Sequence, residues 1–134
     1  RSYLIYIYSK MSVQQTLEMA CHCLINHVEQ QKFKTPLDAH KYYLYKQDEL
    51  PMMLKGFLRF IQHTSNYLYI AIIKQNVTSE NMKIVCEMYA DSMKVKSGED
   101  SMQRCTTKFD QMLVEKYDIE PLKHHFSADE KSHS

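Results

Sequence analysis

The chain reads as an all-α protein, a compact bundle of five or six helices around a central apolar helix at residues 66–75. Three features point there. Glycine and proline are scarce, two and three in 134 residues, whereas an all-β domain of that length draws on many tight turns. Apolar residues recur at steps of three and four through most of the chain. One run, Tyr67-Leu68-Tyr69-Ile70-Ala71-Ile72-Ile73, has no polar side and needs burial on most of its circumference.

Residues 3–8, YLIYIY, are apolar, aromatic and β-branched, and alone they suggest a buried strand. If 67–73 were also a strand the two would pair, which is the α+β alternative to the helical bundle. Residues 1–10 are therefore set apart as an apolar extension or appended segment, with Met11 as a candidate internal start. The helical domain is expected over 11–126, and SADEKSHS at 127–134 reads as a disordered tail.

Within the domain, Ser12 with Gln15 matches a capping box. Val13, Leu17, Ala20, Cys21, Leu24 and Val28 then give one apolar helical face to about Lys32. Thr35-Pro36-Leu37-Asp38 starts a second helix, with a cap, a proline at the first helical position and an acid in the first turn. Asp48 is expected to cap a third, with Pro51 in its first turn and a face of Leu50, Met53, Leu54, Phe57, Leu58 and Ile61 through His63. Gly56 lies inside it, at a cost of about 1 kcal/mol relative to Ala. A close approach of another backbone is one reason to keep it, and simple tolerance is the other.

Thr64-Ser65-Asn66 re-caps the chain before the central run. Thr78 or Ser79 is expected to start the next helix, with Met82, Val85, Met88, Tyr89 and Met93 inward, ending at Ser97-Gly98. A last helix from Asp100 or Ser101 carries Met102, Cys105, Phe109, Met112, Leu113 and Tyr117 on its stripe and closes at Asp118–Pro121.

Seventeen basic and sixteen acidic residues are mixed along the chain, for a net charge of +1. That balance gives no drive toward nucleic acid or an anionic membrane. No apolar run is long enough to span a bilayer. Glycine-rich phosphate cradles, GxSxG and HExxH are all missing. Acidic pairs such as Asp48-Glu49 and Glu99-Asp100 stand at expected helix starts, where the helix dipole accounts for them. No cofactor is expected.

Four cysteines, Cys21, Cys23, Cys86 and Cys105, read as free thiols in a reducing compartment. Cys23 and His27, four apart on one helix face, offer two metal ligands, short of the three or four that zinc requires. The acceptor Asn76-Val77-Thr78 fits a secreted chain.

Tyr42, Tyr43 and Tyr45 fan over about 300° of helix, so one core cannot take all three. Met52 and Phe60 lie off the main stripe of the third helix. With Gly56, these six residues are the candidate partner-binding positions, lining an apolar groove for a helix or peptide, or for a second copy. The functional expectation is a non-enzymatic, intracellular protein–protein interaction module of the adaptor or regulatory kind. The alternatives are a secreted helical cytokine-like ligand and a small metal- or thiol-dependent enzyme built on Cys23 and His27.

Overall fold

A computed structural model describes residues 11–94, 102–117 and 119. Six α-helices lie among them: α1 Val13–Gln31, α2 Pro36–Tyr45, α3 Met52–Thr64, α4 Asn66–Ile73, α5 Met82–Lys94 and α6 Met102–Tyr117, with a 3-10 turn at Gln47–Glu49. No strand occurs among the described residues. The run 67–73 is helical, so the α+β alternative loses one of its two strands. Residues 3–8, the Ser97-Gly98 stop, the Asp100 or Ser101 start and the 127–134 tail lie outside the described residues.

The all-α bundle forms as its sequence dictates. At α1 the capping box closes: Gln15 N–H donates to Ser12 Oγ at 3.1 Å, and Ser12 N–H donates to Gln15 Oε1 at 2.9 Å. Lys32 ends the helix in the left-handed region at φ 52°. Thr35 caps α2 through Asp38 N–H at 3.1 Å, with Pro36 at its first turn.

α4 supplies the centre. Leu68 through Ile73 are six consecutive buried residues, none more than 3% exposed. A helix of eight residues is too short to persist alone, so its stability comes from its neighbours. It packs on α3, α1, α6 and α2. α5 joins the bundle through α6 and α1, which makes α1 a second hub beside α4.

Two helix starts differ from expectation. Pro51, not Asp48, holds the cap position of α3, and its carbonyl accepts from Lys55 N–H at 2.9 Å. The residues before it wind into the 3-10 turn, because proline disfavours helical geometry in the residue that precedes it. Asp48 instead pairs with Lys55 Nζ at 3.5 Å. α5 starts at Met82 rather than after Thr78 or Ser79. Asn81 governs that turn: its Oδ1 accepts from Thr78 N–H at 2.7 Å and its Nδ2 donates to the Asn76 carbonyl at 2.9 Å. The Thr78 carbonyl already accepts from Met82 N–H at 2.9 Å, so this turn leads directly into the helix.

Candidate functional site

Burial divides the six candidate positions. Tyr43 is fully buried, and Tyr42 and Phe60 are half-buried against the core. Tyr45 is 64% exposed and Met52 81% exposed. Gly56 is exposed, and a Cβ placed there meets nothing within 4 Å. The close-approach explanation for this glycine is therefore corrected: among the described residues no backbone outside its own helix comes within 4 Å of a Cβ there. Tyr43 is corrected too, since a side chain without exposure cannot meet a partner directly.

What holds Tyr43 inside is a cluster of rings between α1, α2 and α4. Its hydroxyl shares a 2.8 Å hydrogen bond with His27 Nδ1. Its ring lies 5.3 Å from Tyr42 and 5.7 Å from Phe33, both edge-on. A second pair repeats the device, with His40 Nδ1 and the Tyr69 hydroxyl at 2.8 Å. Tyr69 is 1% exposed on α4, so this bond satisfies the one polar side-chain group in the buried stretch 68–73. Burial pushes both tyrosine hydroxyls up and pulls both imidazoles below their usual range. The cluster is thus held uncharged and locks α2 onto the bundle.

Of the weaker metal pair, His27 has its Nδ1 engaged by Tyr43 and its Nε2 3.4 Å from Gln31 Nε2. Among the described residues no group of three His, Cys, Asp or Glu side chains converges to hold a metal. The Cys21 thiol is pushed up by its hydrogen bond with Cys86 and by burial, and that of Cys23 by burial. Neither is held as the thiolate that a nucleophile requires.

Of the six large exposed apolar side chains among the described residues, four fall where α2 hands over to α3, while Val13 and Ile84 stand elsewhere. Leu44 is 43% and Met53 50% exposed, beside Tyr45 and Met52 in the chain. These four exposed side chains fall within residues 44–53 and make up an apolar ridge along the chain, and Gly56 follows about one turn beyond Met52. Leu44 and Met53 were not singled out from sequence. Leu44 sits between two tyrosines on a ten-residue helix, and which of these neighbours turns inward depends on rotational phase, not composition. Met53 fits the predicted inward stripe of α3 but lies in its first turn, where the bundle does not yet cover it.

Two clefts run beside α6. One of about 660 Å3 is lined by Tyr67, Asp110, Gln111, Val114 and Glu115. The other, of about 430 Å3, is lined by Met88, Met112, Glu115 and Lys116. In the first, Asp110 is engaged from below by Ser65, whose hydroxyl donates to Oδ1. No helix among the described residues is long and apolar enough to cross a membrane. No family model matches the sequence, and neither a curated protein nor a solved structure matches it.

Proposed function

We propose that this protein is a non-enzymatic interaction module that engages a protein partner through the ridge Leu44, Tyr45, Met52 and Met53. The observation that carries the reading is the placement of four of the six large exposed apolar side chains, 43–81% exposed, at one junction of the described bundle. Contiguous exposed apolar surface marks contact sites more often than scattered single residues do. Methionine adapts to partner shape and tyrosine adds area with a polar tip.

Cys21, Cys23 and Cys86, free thiols among the described residues, support a reducing, intracellular setting as part of the same proposal.

Photo-crosslinking tests it. A benzophenone side chain is placed at position 45 or 52, with position 87 on the exposed side of α5 as control. Adducts specific to the ridge, identified by mass spectrometry and lost on Met53→Glu in a chain that keeps its helical circular dichroism, are the expected result. The same adduct pattern from position 87 overturns the reading.

A further inference from the structure

We infer that Cys21 and Cys86 form a reversible disulfide site, a dithiol in the resting bundle that a small-molecule disulfide oxidises to a covalent bond between α1 and α5. The inference is independent of the ridge and goes beyond the interaction reading above.

Placement carries it. Cys21 is buried on the face of α1 that also carries Leu17, Leu24 and Ile25, and Cys86 is buried on α5 with Val85 and Tyr89. The two helices pack on each other. The two thiols, both 0% exposed, are in hydrogen-bond contact. A disulfide requires side chains from two backbones already at close range, and thiols that touch from packed helices meet that demand with little motion. Cys23 is half-buried and points about 200° around α1 from Cys21, so it does not share the site. Chain order makes the bond consequential, because α1 precedes the central helix and α5 follows it. A bridge closes a loop through α2, α3 and α4 and fastens α5 to α1.

The closed bundle keeps the dithiol inert. Exchange proceeds through a thiolate. The hydrogen bond with Cys86, burial and the nearby Glu18 carboxylate all push the Cys21 thiol up, and a reagent in solution has no path to a side chain with 0% exposure. Oxidation therefore proceeds when α5 parts from α1. One thiol then loses its proton and attacks a sulfur of the reagent, which leaves a mixed disulfide and releases one small thiol. The second thiol loses its proton, attacks the protein sulfur of that mixed disulfide, forms the Cys21–Cys86 bond and expels the other small thiol. The protein gives up two protons and two electrons, and the reagent takes them as two thiols. The fold returns both sulfurs to one spot, so this second step outruns attack by a thiol held elsewhere.

The test exposes the full chain to oxidised glutathione across a urea series that stays below its unfolding transition. Peptide mapping under non-reducing conditions identifies the products. Cys21 and Cys86 are expected in one linked peptide pair, which accumulates faster as urea rises. The oxidised chain is expected to melt about 10 °C above the reduced one, and reductant removes the difference. Cys23→Ser leaves the bridge and its thermal shift in place, and Cys86→Ala abolishes both. Mapping is read on the wild type, so the result stands even where Cys86→Ala folds poorly. A pair that stays reduced across the whole series overturns the inference. So do bridges that join either cysteine to Cys23 or Cys105 instead, and so does a Cys21–Cys86 bridge with no gain in melting temperature.

Discussion

Ser65 and Asp110 are joined across the bundle by a hydrogen bond in which the serine hydroxyl donates to the carboxylate. The same Ser65 oxygen accepts from Leu68 N–H at 3.1 Å and so caps α4. One 2%-exposed side chain therefore starts the central helix and fixes α6 beside it. Ser65→Ala is expected to cost about 1–3 kcal/mol, the lost cap plus a half-buried carboxylate left without its donor. Urea denaturation checks this, and a cost no larger than that of an exposed serine would refute the double role.

Asp110 has a pH signature of its own. Burial raises its carboxyl above the usual 3.8, and the Ser65 bond only partly offsets that. A raised acid stabilises the fold below its unfolded value, and that contribution is lost as pH rises through the folded value. Asp110→Asn is therefore expected to be more favourable relative to wild type at neutral pH than in acid. Paired thermal melts at both conditions read the difference.

His27 and His40 work in the opposite direction. Both are pulled below 6.5 by burial. A depressed imidazole contributes stability above its unfolded value, and loses it as pH falls through the folded one. Thermal stability is expected to decline as pH falls below 6.5, and His27→Gln with His40→Gln to flatten that limb. Tyr43→Phe, which deletes one partner, is expected to cost about 0.5–1.5 kcal/mol at neutral pH.

Gly56→Ala tests the open space beside that glycine. Nothing within 4 Å opposes the added methyl, so the gain should be about 0.5–1 kcal/mol from reduced backbone freedom in the unfolded chain. A loss would mean that the outer face of α3 is more crowded than its geometry shows.

Two non-glycine residues sit in the left-handed region, Lys32 at φ 52° and Gln75 at φ 62°. Each ends a helix where glycine is the usual choice. Lys32→Gly and Gln75→Gly are each expected to be neutral or stabilising, by up to about 1 kcal/mol. Chemical denaturation midpoints suffice to check it.

Local rules made much of this legible from sequence. The Ser12 box, the Thr35-Pro36 start and the Ser65 cap are short-range bonds between residues three apart, and composition announces them. The burial of 67–73 follows from its having no polar side. What stayed hidden depends on distance or on rotation. Ser65 and Asp110 are 45 positions apart, so only the fold introduces them. Tyr43 and Tyr45 differ by about 200° around a helix, but nothing local says which faces inward; the His27 and Phe33 contacts decide it. Asp48 resembles a cap until Pro51 and the 3-10 turn shift the start of α3 to Met52.

The shortness of α4 bears on how the chain can be divided. Its eight residues are surrounded by α1, α2 and α3, which precede it, and by α6, which follows. A cut in the 74–81 connection leaves the first fragment with one flank of α4 bare, and the second with α6, which covers it. Neither piece encloses its own apolar surface. The two should therefore reassociate and recover helicity only when mixed, so the connection after α4 is a natural place to split the chain for a complementation assay.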